Sequence, residues 1–223
     1  GEEGKGIELK IVPYLEDNYG YIMIDEVTNT VALVDPADPD TFDEYLEYYN
    51  ISNVDMILTT HKHWDHAAGN QRLKDKFPNL LIYGSEQDRV DACTNYTTDG
   101  EKIEFGNYEI ETILTPCHTV GHNVYVMKGI GKEKEDIAFT GDFLFMASWG
   151  MFIEGTPRQM QEWFDKFLAR CSPETKLLYG HEYALDDLKF AVYVDPENEA
   201  AYNKLQEVEE KYERNESWLP GTI

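Results

Sequence analysis

The chain has 223 residues, with 43 acidic against 19 basic side chains and a formal net charge of −24. That balance argues against nucleic acid or an anionic membrane surface as partner, because both are bound by clustered Lys and Arg. An apolar fraction of 42% with 13% aromatic residues excludes wholesale disorder, and no run of about 18 apolar residues marks a membrane span. The polar start, 1–6, lacks the apolar core of a signal peptide. Cys93, Cys117 and Cys171 are odd in number and lack a CxxC pattern, so they read as reduced thiols of a cytoplasmic protein. A monomer is expected.

Alternation of apolar and polar residues over 7–12 predicts a half-buried strand, and 19–24 and 31–34 predict two more, joined by turns into a meander. Asp35-Pro36 ends that sheet segment. Asp40 or Thr41 can cap a helix running to about Tyr49, with Phe42, Tyr45, Leu46 and Tyr49 on one face. A strand over 54–59 and a helix over 67–77 follow, then a short buried strand over 80–83. Ser85 can cap a helical turn toward Cys93. Strands are expected at 102–105, 108–114, 123–127 and 137–140. Thr156-Pro157 has the residues of a helix start, with Met160, Trp163, Phe164 and Phe167 as the apolar face. A last strand spans 177–179, helix resumes near Ala184, and 199–215 reads as a terminal helix whose Glu207, Glu209 and Glu210 face solvent. Two strand-rich halves with helices outside predict a layered α/β sandwich with mixed sheets.

Directly after the apolar run Met56-Ile57-Leu58 comes Thr60-His61-Lys62-His63-Trp64-Asp65-His66. In an extended loop leaving a strand, His61 and His63 can point to one side, with Asp65 and His66 projecting from the next turn. Imidazoles and a carboxylate at this density signal a metal site. The chain has six histidines, and the others also follow strands: His118 and His122 in TPCHTVGH, and His181 in GHEY. Asp142 ends FTGD beside a glycine that permits close backbone approach. Four strand ends thus deliver metal-capable side chains, where sites assemble in layered α/β folds. His122 is assigned a supporting or packing role because His118 already serves its loop, and Cys117 a structural place beside the ligands.

THKHWDH, TPCHTVGH, FTGD and GHEY, in this order, resemble the metallo-β-lactamase superfamily and within it the glyoxalase II (hydroxyacylglutathione hydrolase) family. The resemblance extends from Val12-Pro13 to about Pro196 and includes DNYGY and VDP. It implies an αββα sandwich with a dinuclear metal centre: a hydrolase domain over 1–183 and a shortened C-terminal helical segment over 184–223. It places His61, His63 and His118 on one ion, Asp65, His66 and His181 on the other, and Asp142 between them. Asp65 and Asp142 are the carboxylates expected at the catalytic centre. The ions in this family are zinc, iron or manganese, with zinc the first expectation here. Two cations lower the pKa of water from 15.7 toward about 7, so that hydroxide can attack a thioester carbonyl. The expected partner is a small-molecule thioester such as S-D-lactoylglutathione.

Substrate contacts are expected from Tyr183, Phe152, Met151, Ile153 and Asp187, and here the chain departs from the family. Where relatives carry Gly-Lys-Phe-Tyr-Glu-Gly it reads Gly150-Met151-Phe152-Ile153-Glu154-Gly155, so a cation and a phenol become Met151 and Ile153. Asp186-Asp187-Leu188 stands for Asn-Asn-Leu, and the sequence stops at Ile223, where the family continues into helices carrying Arg and Lys. A charge-assisted hydrogen bond from such a cation is worth roughly 1.5–3 kcal/mol, so these replacements point to weakened glutathione binding and a related, less anionic thiol ester. The alternatives are a mononuclear-iron enzyme of the persulfide dioxygenase type and a metal-binding homologue with little or no turnover.

Overall fold

The computed structural model describes residues 6–130 and 134–223. Its first sheet contains β1 (Ile7–Tyr14), β2 (Asn18–Asp25), β3 (Thr30–Val34), β4 (Met56–Leu58), β5 (Leu81–Ser85) and β6 (Asn95–Thr97), in that spatial order. The first three strands form the expected antiparallel meander, and β3 to β6 run parallel. The second sheet is built on β7 (Lys102–Phe105), β8 (Tyr108–Leu114), β9 (Asn123–Met127) and β10 (Ile137–Gly141), a run of antiparallel neighbours. A small ribbon of β11 (Leu144–Phe145) and β12 (Ser148–Trp149) follows. β13 (Lys176–Tyr179) then joins β10 in parallel, and β14 (Gly221–Thr222) pairs with its outer edge.

The period-two alternation of the strands decides the layering. In the first sheet Tyr21, Met23, Ala32, Val34, Met56 and Leu58 face the second sheet and pack on Phe105, Ile110, Tyr125, Met127, Phe139 and Leu178. The intervening residues Ile22, Leu33 and Ile57 face the other way, toward Phe42, Leu46 and Leu73. Phe42 and Leu46 lie on α1 (Pro39–Tyr48), and Leu73 on α3 (Asn70–Lys76), which follows the short α2 (Trp64–Ala67). On the far face of the second sheet, Val124, Val126, Ala138 and Leu177 meet Met160, Phe167, Leu188, Leu205 and Val208. Those residues come from α4 (Pro157–Arg170), α5 (Ala184–Val194) and α6 (Glu199–Glu213). The result is an αββα sandwich, as expected. Each sheet buries both faces, one on its partner and one on helices, which is why few strand positions are polar.

Several local expectations need correction. The cap of α1 is Asp38 rather than Asp40 or Thr41: its carboxylate accepts from the Thr41 N–H and hydroxyl, with Pro39 in the first turn. The helix expected over 67–77 is two pieces, α2 and α3. They part at Gly69, where a Cβ would lie 1.9 Å from the Pro36 carbonyl oxygen. Ser85 does not cap a helical turn. It closes β5, and its hydroxyl serves Gln87 in a run of turns, because the next segment returns to the sheet edge as β6. β6, β11, β12 and β14 have two or three residues each, too few to show a period. Thr156 caps α4 as expected, and its box is completed by the Gln159 side chain. Glu207 is held between Lys204 and Lys211 on α6 rather than simply solvated.

Topology also explains where a site can form. β8 and β10 are both antiparallel to β9, and β13 is parallel to β10, so the carboxyl ends of β8, β10 and β13 share one edge. The end of β4 is stitched to that edge from the opposite sheet. The Asn123 N–H donates to the Thr60 carbonyl at 2.7 Å, and the Tyr125 hydroxyl donates to the Thr59 carbonyl at 2.8 Å.

Candidate metal centre

Four loops meet at this edge: those after β4, β8, β10 and β13. They bring two groups of metal-capable side chains together, His61, His63, His118 and Asp142 in one and Asp65, His66 and His181 in the other. Within each group one atom per residue lies within 4.8 Å of all the others. All seven residues singled out from the sequence are present, and His122 belongs to neither group.

The hydrogen bonds around the rim fix which nitrogens face inward. The Thr60 hydroxyl spends its one proton on Asp35 Oδ2 at 2.6 Å, so the neighbouring His61 Nδ1, 3.0 Å away, must be the donor to Thr60. His118 Nδ1 donates to the Met151 carbonyl at 2.9 Å. His66 Nδ1 donates to Asp35 Oδ2 at 2.8 Å, and His181 Nδ1 to Asp17 Oδ1 at 2.8 Å. Each of these four imidazoles, when neutral, therefore aims an Nε2 lone pair at the centre. In the first group His61 Nε2 and His118 Nε2 both lie 3.0 Å from His63 Nδ1, which has at most one proton for two lone pairs. In the second, His66 Nε2 and His181 Nε2 face each other at 3.2 Å, with Asp65 Oδ2 3.4 and 3.3 Å away. Converging lone pairs and carboxylates without enough protons are what a cation relieves, so the donor set fits metal ions.

Asp142 touches both groups. Its Oδ2 is 3.8 Å from His61 Nε2, 3.3 Å from His118 Nε2 and 3.3 Å from His181 Nε2, and its Oδ1 is 3.3 Å from His66 Nε2. Oδ1 is nonetheless buried without a hydrogen-bond partner among the described residues. Gly180 makes this approach possible, since a Cβ there would lie 2.6 Å from Asp142 Oδ1. The electrostatics call for positive charge. Burial lowers the His181 imidazole, but its hydrogen bonds to the Asp142 and Asp65 carboxylates outweigh that and raise it to about 10. His66 is raised in the same sense: the penalty of burial is overcome first by the charge of Asp142. His61, which has no such direct carboxylate partner on Nδ1, is pushed well below its ordinary value by burial and then by His66.

Residues that sequence reasoning passed over hold the site in place. Asp35 receives the Thr60 N–H, the Thr60 hydroxyl and His66, so one carboxylate steers an imidazole in each group. Asn18 donates to both the carbonyl and the carboxylate of Asp65 at 3.1 Å. Asp88 ties the β4 loop to the β8 loop, accepting from the Lys62 N–H, the Thr119 hydroxyl and the Gly121 N–H. The available signal for Asp35 was VDP at a strand end; Asp88 lies in a turn with no motif. His122 takes the supporting place foreseen for it, stacked on His61 at 4.9 Å and accepting the Asp142 N–H. Cys117 is buried next to the Thr156 carbonyl, and burial raises its thiol.

The expected substrate contacts separate. Tyr183 is partly exposed and stacks flat on His181, centroids 5.2 Å apart. Met151 and Ile153 are 76% and 54% exposed, on the segment whose Met151 carbonyl holds His118. Phe152 turns inward against Trp149. Asp187 accepts a hydrogen bond from the Ser148 hydroxyl and belongs to neither ligand group.

Residues 19–92 match the metallo-beta-lactamase superfamily. The chain is 40% identical over 214 residues to the cytoplasmic hydroxyacylglutathione hydrolase of Arabidopsis thaliana, covering 95% of this chain and 82% of that protein. This chain belongs to the hydroxyacylglutathione hydrolase family. A hydroxyacylglutathione hydrolase-like protein of Gallus gallus is 36% identical, covering 97% of this chain and 76% of that one. Among solved structures, ETHE1 from Myxococcus xanthus superposes with a TM-score of 0.69 at 22% identity, over 79% of this chain and 76% of that one, a likeness of fold. Family membership and fold make the chain a metallohydrolase. No helix among the described residues is long and apolar enough to cross a membrane.

Proposed function

We propose that this member of the hydroxyacylglutathione hydrolase family is a dinuclear thioesterase that cleaves S-D-lactoylglutathione or a related thiol ester to a hydroxy acid and a free thiol. The observation that carries the reading is the Asp142 carboxylate, within 3.3 Å of ligand nitrogens in both groups. In this reading His61, His63 and His118 hold one divalent ion, Asp65, His66 and His181 the other, and Asp142 serves both. Nitrogen and carboxylate donors suit zinc first, with iron or manganese as alternatives. Such ions, when bound, polarise a carbonyl and lower the pKa of water toward about 7.

The chain's own part is to fix and to exclude. Asp35, Asp17, Thr60 and the Met151 carbonyl lock four imidazoles in the tautomer that presents Nε2 inward. Burial of His61, His66 and His118 keeps bulk water from competing for the donors. Asp65 and Asp142 supply the negative charge that balances two cations, and no protein nucleophile is required. Tyr183, partly exposed beside His181, is the substrate contact best supported; Met151 and Ile153 present an apolar rim to the thiol portion.

Metal analysis together with a thioester panel tests the reading. Two ions per chain are expected, with hydrolysis of at least one among S-D-lactoylglutathione, a CoA ester and a polyamine-thiol ester. A single iron with oxygen uptake on a persulfide, or no turnover of any ester by the metal-replete protein, overturns it.

A further inference from the structure

Glu154 is not one of the metal-capable residues, yet it touches two stretches that carry them. Its carboxylate takes both contacts of Lys62 Nζ, at 2.7 and 2.9 Å, and Lys62 lies between His61 and His63. The same carboxylate accepts the Val120 N–H at 2.8 Å, two residues beyond His118. Its own N–H donates to the Cys117 carbonyl at 3.0 Å, one residue before His118. The segment it terminates begins at Gly150, packed directly on the Asp142 carbonyl, and passes through the Met151 carbonyl that fixes His118 Nδ1. All of these contacts lead to His61, His63, His118 and Asp142.

The other group is fastened independently of this segment. His181 is held by Asp17, Asp65 by Asn18 and His66 by Asp35. A half-exposed ion pair alone contributes little, because ordering two flexible side chains offsets the attraction. Here the Val120 N–H and the backbone bond to Cys117 already hold Glu154, so its carboxylate waits in place for Lys62.

We propose that Glu154 is a positioning residue that clasps the first metal group, His61, His63, His118 and Asp142, and leaves the second group untouched. The inference rests on the dinuclear reading above. It also means that Lys62, the only cation within the THKHWDH loop, is engaged by the clasp rather than free for a substrate carboxylate.

The test loads wild type, Glu154→Ala, Glu154→Gln and Lys62→Met with zinc and counts ions per chain during titration with a chelator. Glu154→Ala is expected to lose one of the two ions at about 10-fold lower chelator concentration, the scale typical of groups that orient ligands, while the other is lost as in wild type. Glu154→Gln keeps an acceptor for the Val120 N–H and Lys62→Met keeps that anchor entire, so both should fall between. Cobalt-substituted protein identifies the labile ion, since one group offers three imidazoles and the other two. Parallel loss of both ions, or release from every variant as in wild type, overturns the clasp while the dinuclear reading stands. A wild type that binds fewer than two ions overturns the dinuclear reading, and the clasp with it. If Glu154→Ala fails to fold, the Gln and Lys62 variants decide the question.

Discussion

Asp35 holds His66 by its Nδ1 at 2.8 Å, with both side chains shut off from solvent. Because the same carboxylate also takes the Thr60 N–H and hydroxyl, and Thr60 in turn receives His61, one acid reaches both metal groups. Asp35→Ala leaves the Thr60 N–H and His66 Nδ1–H buried without acceptors, at about 1–3 kcal/mol each. It also places Ala at a left-handed φ of 49°. The expected outcome is a stability loss of a few kcal/mol by urea denaturation and metal affinity about 10–100-fold weaker by chelator competition. Asp35→Asn, which tolerates that backbone, should be milder in stability. Wild-type metal affinity in both variants would refute the steering role.

His122 supports Asp142 from below. Its Nε2 accepts the Asp142 N–H at 3.1 Å, which leaves Nδ1 to donate to the Thr115 hydroxyl at 2.9 Å. His122→Leu is close in volume but offers no acceptor, so the Asp142 N–H is stranded in the interior. A destabilisation of about 1–3 kcal/mol is expected, measured by denaturant unfolding of the metal-free protein. An unchanged midpoint would show that the contact contributes nothing.

Asp142→Ala removes the carboxylate common to both groups. Loss of bound metal at both sites is expected on elemental analysis of the purified variant. Retention of two ions would refute the assignment of Asp142 between them.

The thiols outside the metal site should be slow. Burial raises Cys93, and raises Cys171 to about 11, so little thiolate exists near neutral pH and alkylation of the native chain is suppressed. The sign follows from the direction: a raised thiol pKa lowers the reactive fraction at a given pH, and the fraction recovers as pH climbs toward that value. Counting thiols with a chromogenic disulfide in native buffer and in denaturant checks this. Equal rates in the two conditions would contradict it.

By itself, the sequence singled out the seven side chains that the structure gathers into two metal-capable groups, and it pointed to a layered sandwich. Histidines and acids at strand ends are legible because a metal centre uses few residue types, whereas the facing of Tyr21/Ile22/Met23 and Ala32/Leu33/Val34, apolar throughout, was settled by the two different neighbours of the sheet. α4 was legible from Thr156-Pro157, since a capping box is local chemistry. Of what holds the metal-capable side chains, only His122 was assigned from the sequence. Asp35, Asp88 and Glu154 reach partners 25 to 92 residues away, and no local pattern encodes a bond of that span. The same limit hid β14, two residues that form a strand only because the edge of β13 is there to pair with. THKHWDH supplies four of the seven metal-capable side chains; the parallel course of β8, β10 and β13, and the bonds that stitch the end of β4 to β9 beside them, bring those four to the other three.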